Sequence, residues 1–457
     1  MATTVASSKS NPAVADPTAP AYLNKEAMDH VWIHSVPWIE LAERNGLHVF
    51  DRGEGSTIYD VDGNAFLDGI AGLWVVNAGH GRKEIAEAMG QQAARLAYVS
   101  SMNFTTVPAV QLADMIAERT PGDLNRVFFA AGGSEAVESA IKIAKQVQAM
   151  RGFARRYKII ARRGSYHGMT YGAMSLTALK NEHHFGPFMY GVSHVPHPNK
   201  YRSDFGVEGE QADIMAAKAV EQEIMFQGPD TVAAVIGEPI STAAGVHVPS
   251  KVYWQMLREI CDKHGVLLIA DEVINGFGRT GKMFAMEHYD VKPDLITVAK
   301  SLAGGFPLSG VIGKAAIMDA ADPGGLGGTY AGNPLAVAAA NAVLDVFEKE
   351  KLVDRANVIG EHIVSRLKKM QQRNDLLPMA SVRAVGAMIA FDIVKERGGE
   401  APDAEMTKRV TQRAADEGLI LLSCGTSFNT IRILVPLTAQ DEIINEGLDK
   451  LERALSA

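Results

Sequence analysis

Cysteine is scarce: Cys261 and Cys424 are the only two in 457 residues. Two thiols cannot make a disulfide framework, so the chain must rely on an apolar core. They point to a reducing compartment or to plain core thiols. Cys261 falls at helical spacing with Tyr253, Met256, Leu257 and Ile260, which favours the core thiol. Long apolar runs are also missing; none approaches the roughly 18–20 residues of a membrane span. Residues 1–20 are small, polar and broken by proline. They lack the apolar centre of a signal peptide and read as a mobile tail, with the cytoplasm as the expected location. Positive charge is in deficit, with 45 Lys and Arg against 53 Asp and Glu and a net charge of −8. That excludes an electrostatic nucleic-acid binder. The 13 histidines form no HExxH pattern and no tight His/Cys cluster, so no metal site is expected.

What the chain does have is ordinary globular material, 47% apolar and 21% charged, enough for about two or three domains. Its most informative stretch runs from Val266 to Lys300. The apolar run Val266–Ala270 ends on Asp271, and a second run, Leu295–Ala299, ends on Lys300. Short apolar runs rich in β-branched residues between turn-rich flanks read as buried parallel strands. In open α/β sheets the chemistry lies beyond the carboxyl ends of the strands, so Asp271 and Lys300 should face one cavity. An acid and an amine so placed suit pyridoxal phosphate: the lysine links covalently to its aldehyde, and the carboxylate pairs with its pyridinium nitrogen. Either residue alone is as easily a cap or a solvated rim charge. The small residues after the lysine, Ser301 to Gly305, favour the functional reading, because they let backbone approach a flat ring.

The order of elements supports an α/β fold. Residues 24–45 read as a helix anchored by Met28, Val31, Trp32 and Trp38. Antiparallel hairpins follow within 47–72, with alternation in His48–Phe50 and Thr57–Asp60 and a turn at Asp62-Gly63. A helix is expected from Lys83 to about Leu96. From about residue 105 helices and strands alternate: helix 109–119, strand 127–129, helix 135–150, strand 158–161, strand 232–237, helix 251–263, then the two strands of the opening stretch. This rhythm implies a mostly parallel sheet with helices on both faces. After a long helix over 332–350 the pattern becomes α+β, with helices over 358–371, 406–417 and 439–455 and strands over 387–394, 420–422 and 430–435. The expected organisation is a tail over 1–20, a large domain over 76–345, and a smaller discontinuous α+β domain from 21–75 and 346–457.

Several motifs carry two readings each. Ala131-Gly132-Gly133-Ser134-Glu135 joins a strand to a helix, which makes it a phosphate site or a plain Ser N-cap. Tyr166-His167-Gly168 follows a strand end, where an aromatic can stack on a cofactor or simply pack a loop. Gly276 to Lys282 matches both GxGxxG and GxxxxGK. However, Met283 stands where a phosphate loop needs Ser or Thr, and the preceding strand ends on Asp271-Glu272, so nucleotide binding is not expected. His183 and His184 read as exposed loop residues. Arg432, inside the apolar strand Thr430–Val435, must be a buried ion pair or a carboxylate receptor.

Taken together, these segments resemble the class III pyridoxal-phosphate-dependent aminotransferases, particularly the omega-aminotransferase (amine:pyruvate) branch, from about residue 30 to the end. LLIADEVINGFGRTG followed by DLITVAKSLAGGFPLSGVIG is the most specific part. The resemblance implies fold type I, with Lys300 as the covalent attachment point and Asp271 at the pyridine nitrogen. It further implies Val273 and Tyr166 on opposite ring faces, His167 beside them, and Gly133 and Ser134 at the phosphate. Thr329 would reach the phosphate of a neighbouring subunit, giving a homodimer with shared sites; a tetramer stays open. Trp74 would be an aromatic substrate wall, Arg432 a mobile carboxylate receptor, and Glu238 a residue near the cofactor.

The sequence departs from the 4-aminobutyrate branch at three positions. Met169 replaces an arginine, Ala243 a glutamate that locks the mobile arginine, and Ile274 a glutamine. These departures favour an apolar donor pocket, lined in part by Met169, and a pyruvate-type acceptor. The expected function is amino transfer from an amine or omega-amino acid to a 2-oxo acid by a ping-pong route. An aminomutase, racemase or decarboxylase on the same scaffold stays open, with a dinucleotide-binding protein as the distant rival.

Overall fold

The computed structural model describes residues 16–34, 40, 47–179, 183–321 and 324–456. Most of the expected tail therefore lies outside the described residues, as does Trp38. The first helix, Pro20–His30, starts on a proline whose fixed φ suits the first turn and stops at an extended Val31. A helix continuing from 24 to 45 was expected. It ends early because Val31, Trp32 and Ile33 are β-branched or aromatic, with poor helix propensity. Of the expected anchors, Met28, Val31 and Trp32 do not bury on this chain: the helix has no buried residue, Val31 is 52% exposed and Trp32 is 89% exposed.

The hairpins form as read. Strands β1 (Phe50–Glu54), β2 (Thr57–Asp60) and β3 (Ala65–Asp68) are antiparallel. Gly63 takes the left-handed turn position at φ 86°. Asp60 stabilises that turn by accepting the N–H groups of Asp62 and Asn64 at 3.1 and 2.8 Å.

Seven strands make the central sheet: β4 (Leu124–Ala130), β5 (Lys158–Arg162), β6 (Val192–Val195), β7 (Val232–Gly237), β8 (Leu267–Asp271), β9 (Leu295–Val298) and β10 (Ser309–Lys314). Their spatial order is β4-β10-β9-β8-β7-β5-β6. Only β10 runs antiparallel to its neighbours. Alternate side chains of one strand enter opposite cores: Leu268 and Ala270 join one, Leu267 and Ile269 the other. Helices therefore cover both faces, among them Gly133–Met150, Lys251–His264 and Pro334–Lys349. Cys261 is fully buried in the second of these, and burial pushes its thiol up to about 12.

The C-terminal strands are β11 (Met379–Val385), β12 (Met388–Ile393), β13 (Leu419–Ile420), β14 (Leu422–Cys424) and β15 (Thr430–Ile433). The strand expected over 420–422 is in fact two. β13 pairs parallel with β3, while β14 joins the sheet β11-β12-β15-β14, so the chain changes sheets at Leu421. The pairing of β13 with β3 joins the N-terminal hairpins to the C-terminal segment. No helix among the described residues is long and apolar enough to cross a membrane.

Candidate active site

β8 and β9 are adjacent and parallel, with Asp271 in register with Thr297. Asp271 is the last residue of β8 and is 3% exposed. Three donors converge on its carboxylate: Thr297 Oγ1 at 3.0 Å and the Val273 N–H at 3.1 Å on Oδ1, and His167 Nδ1 at 2.6 Å on Oδ2. A carboxylate only accepts, so His167 carries its proton on Nδ1; its buried Nε2 has no partner among the described residues.

Lys300 lies two residues past the end of β9 and opens a tight turn, Lys300–Ala303, closed by a left-handed Gly304. Its own φ is 45°, a conformation that costs a non-glycine residue roughly 1–3 kcal/mol and persists only where surroundings impose it. Burial pushes its amine down to about 8, Arg432 adds to that effect, and Asp271 and Glu238 oppose it. A substantial fraction of a neutral, nucleophilic amine is therefore present near neutral pH.

A cavity of about 310 Å³ opens over these strand ends. Gly133, Ser134, Tyr166, His167, Glu238, Asp271, Val273 and Lys300, all singled out from the sequence, line it together. The helix Gly133–Met150 starts at its edge with Gly132 as cap residue and no side-chain cap. Ser134 is thus the second helical residue rather than the N-cap, and its Oγ accepts the Met169 N–H at 3.0 Å. The first-turn N–H groups of Gly133 and Ser134 have no intrahelical acceptor and form an anion site. A side chain at 133 would be tight: an added Cβ would lie 3.1 Å from Val273 Cγ1. Glu238 holds the aromatic loop, its two oxygens accepting the N–H groups of Tyr166 and Thr242 at 2.8 Å each. Burial raises its pKa. An acid, an amine, a free helix start and flat walls in one cavity fit a phosphate-bearing pyridine aldehyde.

The neighbouring Glu272 does a different job. It accepts the N–H groups of Ala285 and Met286 at 2.8 and 2.9 Å, and burial pushes it up to about 8. The turn Gly276–Lys282 is likewise structural. Arg279 is fully buried there, donating to the carbonyls of Ala387 and Val435 and to Asn77 Oδ1. Burial lowers its pKa to about 9. A buried cation that caps backbone carbonyls leaves no loop to wrap a phosphate.

Four of the residues singled out are not among those lining this cavity. Arg432 is 6% exposed within β15 and makes no ion pair with the described residues. Its guanidinium stacks 4.1 Å from the Trp74 ring and donates to the Thr242 carbonyl at 3.4 Å, while Nε has no partner. Trp74 also faces Lys300 Nζ at 5.9 Å. Met169 is about half exposed. Thr329 is exposed, its carbonyl accepting from Tyr98 Oη at 2.6 Å.

Sequence reasoning missed Val75, Asn275 and Phe306 in the lining, and Thr297 beneath Asp271. Thr297 had a visible sign: a hydroxyl inside the otherwise apolar strand Leu295–Val298. The others had none, being apolar or turn residues of common type.

The family described as Aminotransferase class-III matches residues 39–455. A 4-aminobutyrate aminotransferase of Escherichia coli is 40% identical over 405 residues, covering 87% of this chain and 91% of that protein. A 5-aminovalerate aminotransferase of Pseudomonas aeruginosa is 41% identical over 406 residues, covering 88% and 91%. An (S)-enantioselective omega-transaminase from Thermomicrobium roseum superposes with a TM-score of 0.89 at 35% identity, covering 95% of this chain and 98% of that one.

Proposed function

The chain belongs to the class III pyridoxal-phosphate-dependent aminotransferases, and from that premise we propose that it moves an amino group from an amine or omega-amino acid to pyruvate. The observation that carries this reading is Arg432: buried, stacked on Trp74, and with no carboxylate partner among the described residues. A buried guanidinium without a counter-ion is costly and is relieved by an arriving carboxylate. With Ala243 in place of a locking acid, the same side chain is free to leave when a donor brings no carboxylate. The two relatives named above are aminotransferases of 4-aminobutyrate and 5-aminovalerate. Ala243, Ile274 and Met169 favour less polar donors here.

When bound, pyridoxal phosphate supplies an electron sink for charge developing at the substrate carbon. Asp271 would hold the proton at its ring nitrogen, with His167, Thr297 and the Val273 N–H keeping the carboxylate in place. Gly133 and Ser134 would bind the phosphate, and Val273 and Tyr166 would confine the ring. Lys300 would hold the cofactor covalently and, once displaced by the donor, move the proton from the substrate carbon as a neutral amine. The same side chains then act in reverse on the oxo acid, which gives ping-pong kinetics.

The reading includes a homodimer. Thr329 is exposed next to Tyr330, and Met102 and Phe104 expose large apolar surfaces nearby in sequence to Tyr98, which bonds Thr329. Thr329 would serve the partner's phosphate, and the N-terminal helix and the exposed Trp32 that follows it would find cover in the assembly. The division into a large domain over 76–345 and a small one from the flanking segments goes with this arrangement. A fully active monomer at assay concentration would remove this part.

A panel of amines and omega-amino acids against pyruvate and 2-oxoglutarate tests the substrate assignment. Turnover of an uncharged arylalkylamine with pyruvate is expected. Conversion of a single substrate without any 2-oxo acid would place the reaction among the racemases or mutases instead.

A further inference from the structure

Just after β3 the backbone makes a turn that few residues tolerate. Ala71, Gly72, Leu73 and Trp74 have φ values of 47°, 71°, 145° and 63°, and three of the four carry a side chain. Such a run persists only where neighbours over-determine it.

Asp68 provides that determination. Its buried carboxylate accepts the Ile70 N–H on Oδ1 at 3.1 Å and the Gly72 N–H on Oδ2 at 2.6 Å. His80 Nε2 donates to the same Oδ2 at 2.7 Å. The carboxylate only accepts, so Nε2 carries its proton. His80 is itself anchored on the first hairpin. It exchanges backbone hydrogen bonds with Gly55 at 2.8 and 3.0 Å. Gly53 lies so close that a Cβ there would be 2.9 Å from His80 Cβ. The strained turn therefore hangs between two fixed points and presents Trp74 at its end. The Trp74 carbonyl takes Ser301 Oγ at 3.1 Å, next to Lys300, and its ring covers the Arg432 guanidinium.

We propose that Asp68 and His80 are a positioning pair that fixes the strained turn, and through it the Trp74 ring over Arg432, so that they control how the acceptor carboxylate is received. Neither residue touches Lys300 or Arg432 directly; their hydrogen bonds hold the turn that carries Trp74, so they act through Trp74. The inference rests on the reading of Trp74 and Arg432 as the substrate wall.

The test uses cofactor-loaded enzyme and compares His80→Leu and His80→Gln with wild type, each with and without Trp74→Ala. Gln places an amide N–H close to the Nε2 position; Leu cannot donate. In His80→Leu, kcat/KM for pyruvate should fall at least about tenfold, while melting temperature and cofactor absorbance stay near wild type; His80→Gln should recover most of that loss. In the Trp74→Ala background His80→Leu should add little, because both changes remove the same wall. Should His80→Leu yield no soluble enzyme, His80→Asn, whose amide falls short of Asp68, replaces it. An unchanged acceptor efficiency, an effect additive with Trp74→Ala, a loss that Gln does not rescue, or an equal loss of stability and cofactor would overturn the pair's role. If Trp74→Ala by itself leaves the acceptor efficiency unchanged, the substrate-wall reading falls first and the pair's role with it.

Discussion

The floor of the cavity, and the residues proposed as a substrate wall although they do not line that cavity, are built on different terms. On the floor, Asp271 takes three donors within 3.1 Å, Glu238 has both oxygens satisfied, and Lys300 is held in a strained turn. On the wall, Arg432 has one long contact and an unpartnered Nε, and the Trp74 indole N–H is buried without a partner among the described residues. Met169 and Thr329 are exposed. The cofactor is the same in every turnover, so its side can be organised fully in advance. On the proposed ping-pong route the substrates would differ between the two half reactions, and their side would keep polar groups unsatisfied until a ligand arrives. A buried unpaired group is tolerable where its pairing is the binding event.

Removing Lys300 breaks the floor outright. Lys300→Ala is expected to abolish multiple turnover while non-covalent cofactor binding persists through the first turn of the helix at Gly133 and through Asp271; steady-state assay and absorbance report the two separately. Wild-type-like turnover would refute the assignment of this lysine.

Arg432→Ala tests the wall and should act on one substrate only. The pyruvate half reaction is expected to lose about 2–5 kcal/mol, roughly 30-fold or more in efficiency. The half reaction with an uncharged amine should change little. Stopped-flow traces of each half decide this, and equal losses in both would make Arg432 a structural residue.

Asp271→Asn should preserve the fold and cost at least about tenfold in rate, the equivalent of one charge-assisted contact worth roughly 1.5–3 kcal/mol. Both half reactions should suffer alike, in contrast to Arg432→Ala. A defect confined to the acceptor half would blur the line between floor and wall.

The smallest effect concerns pH. With its pKa lowered to about 8, Lys300 gains neutral amine as pH rises and is largely neutral above that value. Covalent capture of pyridoxal phosphate by apoenzyme should therefore speed up about tenfold between pH 7 and 9 and then level off. An ordinary lysine, titrating near 10.4, would gain nearly 100-fold over the same span and keep climbing. Rates from the rise of the bound-cofactor band distinguish the two.

Much of the floor was legible because it follows from local pattern. Two apolar runs ending on Asp271 and Lys300 must be neighbouring strands with those residues at one rim, since parallel strands buried on both faces leave only their ends for chemistry. Gly132, Gly133 and Ser134 between a strand and a helix allow two readings, an anion site or a Ser N-cap; the structure makes Gly132 the cap residue and Ser134 a first-turn residue. Strand β10 was not read, because Ser309-Gly310-Val311-Ile312-Gly313 holds only two apolar residues. Its glycine has a reason visible only in three dimensions: a Cβ at 310 would lie 2.8 Å from the Phe128 carbonyl. Helix Gly209–Gln227 went unread as well, and the first helix was drawn too long.

By itself the sequence determined the alternation of strands and helices, the placing of an acid and an amine at two strand ends, and the glycine turn between a strand and a helix at 131–135, because each depends on residues near one another along the chain. Tertiary structure alone decided what surrounds them. It placed His167 and Thr297 on Asp271, left Arg432 without an ion-pair partner among the described residues, buried Arg279 as a cap for distant carbonyls, and hung Trp74 from a turn held by Asp68 and His80. Those outcomes depend on which segments the packed sheets bring together: hydrogen bonds and charge burial act over a few ångströms in space, and the partners lie 12 to about 200 residues apart in the chain.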